Sequence, residues 1–226
     1  MNNQADTIDL NRDKTLTSSL NRTMYFFIKR LFDVLMAIIG IIAMIPIALI
    51  VKVSYMLTGD FDSIFYKQKR IGKNGKIIYI YKFRSMIPNA DEVLKELLKK
   101  PKYKKEWQKN QKLENDPRIT KAGKILRKTS LDEMPQFLNV LKNDMSLIGP
   151  RPLIPGELDF HDGDHSIYEA MKPGITGWWA SHGRSDTTYE ERLKLEYFYV
   201  NNCSLSLDIK CIVATVMAVI CKKGAK

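Results

Sequence analysis

Residues 124–152 read KILRKTSLDEMPQFLNVLKNDMSLIGPRP, and the rest of the chain is best read outward from them. Their centre is the adjacent acid pair Asp132 and Glu133. Ser130 stands three residues before Glu133, the spacing of a capping box that opens a helix. Leu131, Met134, Phe137, Leu138 and Leu141 then recur at helical spacing. That helix would put both carboxylates in its first turn, beside free backbone N–H groups and the positive end of the macrodipole. A phosphate is favoured at the same end. Arg127 precedes the pair, and Arg151 follows it in the stiff run Gly149-Pro150-Arg151-Pro152. A carboxylate among cations can attack phosphorus, with a divalent metal to offset like charge. Acids that merely complement a helix dipole have the same spacing, so both readings stand on these residues alone.

Upstream lies an uncharged run of 18 residues, 34–51, near the lower limit for a membrane span. Two details set it apart from an ordinary span. Pro46 lies within it, removing a backbone hydrogen bond and bending the helix. Both flanks are basic: Arg22, Lys29 and Arg30 before, Lys52, Lys67, Lys69, Arg70 and Lys73 after. The positive-inside rule therefore favours neither orientation. A re-entrant helix over 24–59, entering and leaving by one face, reconciles both details. A single crossing remains the competing reading. Arg30 and Asp33, one turn apart, are expected to pair at the entry point. Residues 1–23 are polar, without the apolar core of a signal peptide, and read as a flexible tail.

Two β-prone runs, 64–70 and 76–82, flank Gly72-Lys73-Asn74-Gly75 and predict a β-hairpin. Lys82 and Arg84 end its second strand, within reach of a shared site. Residues 89–115 are charged and helix-prone, broken at Pro101. Their lysines, with Tyr103 and Trp107, suit a helix on lipid headgroups or a solvated face. Thr120 is placed to cap a short helix that carries Arg127. His161 and His165 lie in an acidic loop but lack a third metal ligand at regular spacing. Gly177-Trp178-Trp179 and Gly183-Arg184 suit a loop that meets a base or sugar, with lipid anchoring an equal alternative. A last apolar helix over 208–221 is too short to span and packs or lies at the interface. The net charge of +11 points to anionic partners. No recognition-helix or stacking motif supports nucleic acid. Three cysteines without ligand spacing suit a reducing compartment.

Lys29-Arg-Leu-Phe-Asp33, Tyr81-Lys-Phe-Arg-Ser-Met86, the run from Leu126 to Leu141, Asp144-Met-Ser-Leu-Ile-Gly-Pro-Arg-Pro152 and Pro173-Gly-Ile-Thr-Gly177 together resemble the bacterial sugar transferase family, the monotopic phosphoglycosyl transferases. The resemblance implies an α+β, mostly helical monotopic membrane enzyme. It would have a proline-broken re-entrant helix, a small β-hairpin and interfacial amphipathic helices, with residues 60–226 as the catalytic domain. It further implies transfer of a sugar 1-phosphate from a UDP-sugar to undecaprenyl phosphate at the cytoplasmic face of the bacterial inner membrane, as UMP leaves. Such a step begins exopolysaccharide, capsule or lipopolysaccharide synthesis. Asp132 matches the family's nucleophile and Mg²⁺ ligand, and Glu133 the second member of its dyad. Lys82, Arg127, Arg151 and Pro152 match its phosphate site, Arg184 joins them as a candidate substrate contact, and Pro46 matches the re-entry proline. Ile45 stands where the family often has serine. Longer relatives carry upstream membrane helices and a regulatory domain, so the chain resembles the minimal catalytic form. UDP-galactose or UDP-glucose is the expected donor, with a UDP-amino sugar as the alternative. Expected partners are both substrates and an anionic membrane, and self-association is compatible with the sequence. A non-catalytic basic membrane scaffold is the rival class.

Overall fold

The computed structural model describes residues 3–110, 113–183 and 187–220. Its first element, α1 (Asn3–Met56), continues through Pro46, so the break expected at that proline does not form: a proline inside a helix removes one backbone hydrogen bond, and the turns on either side of it stay helical. The stretch read as a polar tail thus falls largely within the bounds of α1. One stripe of α1 is buried: Tyr25, Lys29, Asp33, Ala37, Gly40, Met44, Val51 and Tyr55. The steps of three, four and seven keep one face toward the protein. From Tyr25 to Tyr55 such a stripe runs about 45 Å at 1.5 Å per residue. The opposite face exposes Phe27, Leu31, Leu35, Ile42, Leu49 and Ile50.

The hairpin forms as predicted. β1 (Phe65–Ile71) pairs antiparallel with β2 (Ile77–Phe83) across a 3-10 turn, Lys73–Gly75. Asn74 (φ 56°) and Gly75 (φ 71°) take the left-handed conformations that this tight reversal needs. The charged segment folds as α2 (Ala90–Leu98) and α3 (Pro101–Asn110). Neither α2 nor the described part of α3 buries a residue. Then comes α4 (Lys121–Thr129), capped as expected by Thr120, whose Oγ1 accepts from Gly123 N at 2.8 Å.

The predicted capping box does not form. Ser130 is left-handed (φ 56°), ends α4 and makes no side-chain cap. Leu131–Glu133 is a 3-10 turn, and α5 (Gln136–Leu141) begins only after Pro135. A proline five residues into an α-helix would clash with the carbonyl of residue i−4, and the tighter turn avoids this. The delayed start also rotates the stripe. Gln136, Asn139 and Val140 are buried, while Leu141 is 42% exposed.

A second sheet was not anticipated. β3 (Ser146–Ile148) runs parallel to β4 (Gly174–Thr176). A Cβ on Gly149 would strike Lys172 O, and one on Gly177 would strike Gly149 O. These glycines let two backbones lie in contact. Between the strands lie α6 (Glu157–Phe160) and α7 (His165–Tyr168). After them come α8 (Trp178–His182), α9 (Tyr189–Asn202) and α10 (Leu205–Ile220). The expected tryptophan loop is therefore a one-turn helix. Residues 184–186 and 221–226, including Arg184, lie outside the described residues.

The core has two parts that matter for the site. Met44, Val51 and Tyr55 of α1 pack with Ile64, Phe83 and Leu126. Ala37 packs with Ile78, Ile80, Val140 and Met145. Both halves of α1 are thus bound to the domain that carries the acid pair.

Candidate active site

Three segments converge on the acid pair. The first is β2, which ends at Phe83 and delivers Lys82. Its Nζ donates to Glu133 Oε1 at 2.8 Å. Asn139, fully buried on α5, holds the strand in place. Its Oδ1 accepts from Tyr81 N at 2.9 Å and its Nδ2 donates to Tyr79 O at 2.7 Å. An amide side chain thereby completes the strand's backbone pairing and fixes the distance from β2 to the turn that carries Asp132.

The second segment is α4. Arg127 Nε donates to Ser85 Oγ at 2.8 Å. A Cβ on Gly123 would strike Ser85 O, so glycine lets α4 dock on the residue that steers Arg127. The guanidinium acts on Asp132 through its charge. Burial pushes the Asp132 carboxyl above the ordinary aspartate range, Lys82 and Arg127 pull it down, and adjacent Glu133 pushes it up again.

The third segment is the Gly149–Pro152 run after β3. Arg151 and Pro152 line a solvent-open cavity together with Lys82, Glu133, Gln136 and Trp179. Asp132, half-buried, adjoins the Glu133 wall. The structure thus brings Lys82, Glu133, Arg151 and Pro152 to one cavity, with Asp132 and Arg127 beside it. Trp178 and Trp179 part company. Trp178 packs against the core formed by Ile148, Met171 and Tyr199, whereas Trp179 faces the cavity.

Arg70, Arg192 and Glu196 were not singled out from the sequence. Arg70 Nη1 donates to Pro152 O at 3.2 Å, and Arg192 lies 4.8 Å from the Trp179 ring centre. Burial pushes the Glu196 carboxyl up to about 7, against the pull of Arg151 N–H, Arg192 and Arg151. A carboxylate and an arginine in the middle of an aromatic helix look like solvent-facing charges; only the tertiary fold turns them inward.

The entry residues of α1 differ from expectation. Arg30 and Asp33 do not pair with each other. Arg30 donates to Val140 O (2.8 Å) and Leu141 O (3.2 Å), capping the C-terminal end of α5. Asp33 Oδ1 accepts from Leu147 N in β3 at 3.0 Å. Backbone groups that would otherwise be orphaned compete successfully with an exposed ion pair.

Among the described residues no group of three or more His, Cys, Asp or Glu side chains is arranged to hold a metal. A Mg²⁺ site needs fewer, since that ion is commonly held by one or two carboxylates plus substrate phosphates. Asp132 and Glu133 fit this pattern, being adjacent carboxyls of which one is destabilised as an anion by burial.

The family model for bacterial sugar transferases matches residues 24–222. The chain is 45% identical over 200 residues to an undecaprenyl-phosphate galactose phosphotransferase of Salmonella typhimurium, covering 88% of this chain and 42% of that protein. It is 42% identical to the exopolysaccharide production protein ExoY of Sinorhizobium fredii, over 87% of each chain. It is 43% identical to a UDP-galactose-lipid carrier transferase of Erwinia amylovora, over 88% of this chain and 42% of that one. The chain thus spans less than half of two of these relatives and most of the third. A match over most of the described chain, with the acid pair and its cations gathered at one cavity, leads to one conclusion: the chain belongs to the bacterial sugar transferase family.

Proposed function

We propose that the protein transfers a hexose 1-phosphate from a UDP-sugar to undecaprenyl phosphate through a covalent aspartyl intermediate. The observation that carries this is the acid pair standing against Lys82, Arg127 and Arg151 beside an open cavity. In the first half-reaction an Asp132 carboxylate oxygen bonds to the sugar-linked phosphorus. The diphosphate bridge breaks, and UMP leaves with the electron pair. In the second, an oxygen of undecaprenyl phosphate attacks the same phosphorus. The acyl–O–P bond breaks and the carboxylate is regenerated. Lys82 and Arg151 offset phosphate charge, and Lys82 also holds Glu133 in place beside the nucleophile through its 2.8 Å hydrogen bond. Mg²⁺, held by Asp132 with Glu133 nearby, would neutralise diphosphate charge when bound.

UDP-galactose is the preferred donor. Two relatives above 40% identity carry galactose in their names. An Aeromonas hydrophila relative named for N-acetylgalactosamine, 35% identical over 225 residues, supports an amino-sugar donor as the second reading.

The setting we infer is monotopic, on the cytoplasmic face of the bacterial inner membrane. The apolar helix at 21–56 is long enough to cross a bilayer, yet its buried stripe reaches the domain at both ends. A crossing helix would leave the domain on one side. A helix that lies against the domain along both halves, entering and leaving by one face, offers only its outer face to lipid, which supports the monotopic reading although α1 stays continuous through Pro46. A site at that surface serves a water-soluble donor and a lipid acceptor together.

The deciding experiment incubates the purified protein with Mg²⁺ and UDP-galactose, without acceptor, and measures UMP release and intact mass. Wild type gains one hexose phosphate and releases an equivalent of UMP; Asp132→Asn does neither. Turnover by Asp132→Asn would overturn the covalent mechanism. If no UDP-sugar yields UMP even with undecaprenyl phosphate present, the function itself is wrong.

A further inference from the structure

Arg151 is held by its backbone as well as aimed by its side chain. Its N–H donates to Glu196 Oε1 at 3.0 Å, and its carbonyl accepts from the Tyr168 hydroxyl at 3.0 Å. Arg70 grips the next carbonyl, Pro152 O, at 3.2 Å. The guanidinium carbon lies 5.6 Å from the Trp179 ring centre. Glu196 belongs to α9 and is 1% exposed; Tyr168 belongs to α7 and is 5% exposed. Two helices remote in sequence from the acid pair thus clamp one residue of the cavity wall.

The state of Glu196 indicates that stability is not its purpose. Its Oε2 lacks a well-formed hydrogen bond, as does the Nε of Arg192 one turn away, and its nearest relief is the Tyr168 hydroxyl and the Arg192 charge. A buried carboxyl with an unmatched oxygen is unfavourable, and apolar replacement of buried charge is often neutral or stabilising. What Glu196 supplies is a fixed acceptor for one backbone N–H. We propose that Glu196 and Tyr168 are positioning residues that hold Arg151 from both sides of its backbone, so that its guanidinium meets the donor diphosphate already oriented. This rests on the reading above in which Arg151 engages that diphosphate.

The test uses full-length Glu196→Leu, Glu196→Gln and Tyr168→Phe in lipid nanodiscs. It measures kcat and KM for UMP release from UDP-galactose with undecaprenyl phosphate, and binding of UDP alone by tryptophan fluorescence. Thermal midpoints report folding. Glu196→Leu removes the acceptor and should lower kcat/KM about tenfold or more, mostly through KM, with UDP binding weakened in parallel. Glu196→Gln keeps an oxygen acceptor and should stay within about threefold of wild type. Tyr168→Phe keeps the Glu196 acceptor but loses the carbonyl contact, together with the hydroxyl's contacts to Arg192 and Glu196, and should fall between them. Wild-type UDP affinity in folded Glu196→Leu, or a Gln variant as impaired as Leu, overturns the proposal. If Glu196→Leu does not fold, unchanged UDP affinity in Tyr168→Phe overturns it instead. UDP binding is read independently of turnover, so failure of the proposed reaction would show in wild type and not be confused with failure of the clamp.

Discussion

Lys82 Nζ and Glu133 Oε1 meet at 2.8 Å, so the end of the hairpin and the turn bearing Asp132 are joined by one charge-assisted hydrogen bond. The pair is partly exposed, and its direct contribution to stability is about 1 kcal/mol or less. Its weight lies in what it does to the neighbouring carboxyl. Lys82 is the largest influence opposing burial at Asp132. Replacing Lys82 with Met should therefore raise the Asp132 carboxyl further. On the proposed mechanism Asp132 attacks as its carboxylate, so the acid limb of the UMP burst should move to higher pH. The burst with UDP-galactose alone reports this without interference from the lipid phosphate. An acid limb that stays in place in Lys82→Met would remove Lys82 from the electrostatics of the nucleophile.

The re-entrant reading makes a topological prediction. Asn21 and Asp62 flank the apolar helix at its two ends. Cysteines placed singly at these positions should both react with a membrane-impermeant maleimide in inside-out vesicles, and neither in intact cells. Wild type, with its native cysteines, provides the background. Labelling of the two positions from opposite sides would convert the helix to a single crossing.

Asp33 offers a separable test of how α1 is attached. It is 4% exposed, and its carboxylate accepts from Leu147 N in the middle of β3. Truncation to Ala leaves that partly buried N–H without its partner, at a cost of about 1–3 kcal/mol. Asp33→Ala should lower the thermal midpoint, while Asp33→Asn, which keeps an acceptor oxygen, should lose less. The sequence-level alternative, a partner role toward Arg30, predicts that Arg30→Ala and Asp33→Ala have the same effect. The structure predicts different ones, since Arg30 caps α5 instead.

The hairpin, the Thr120 cap and the cations around the acid pair were legible because each rests on local signals: turn residues, a capping hydroxyl, and motif spacing. Three features were not. The start of α5 was misplaced because Ser130 and Glu133 satisfy a helix signature that Pro135 vetoes. The β3–β4 pair consists of two three-residue strands whose partners lie far apart in the chain, a pairing that periodicity cannot reveal. Glu196 and Arg192 sit among mixed charges on an aromatic helix without a clear apolar face, and their burial follows only from the docking of α9 on the Arg151 segment.

Glu196 also leaves a signature in stability. Its folded-state carboxyl is pushed up to about 7, whereas an unfolded glutamate titrates near 4.3. Between those values the folded protein binds more protons than the unfolded chain. Stability contributed by this group is therefore fully present below about pH 4 and declines as pH rises toward 7. Over that window the loss reaches roughly 3 kcal/mol. Glu196→Gln cannot titrate, so its thermal midpoint should fall less between pH 5 and pH 8 than that of wild type, the two curves diverging as pH increases. Calorimetry in nanodiscs checks this without any substrate. Parallel curves would mean that Glu196 keeps an ordinary carboxyl in the folded protein, and with it would go the case that an unmatched buried charge stands behind Arg151.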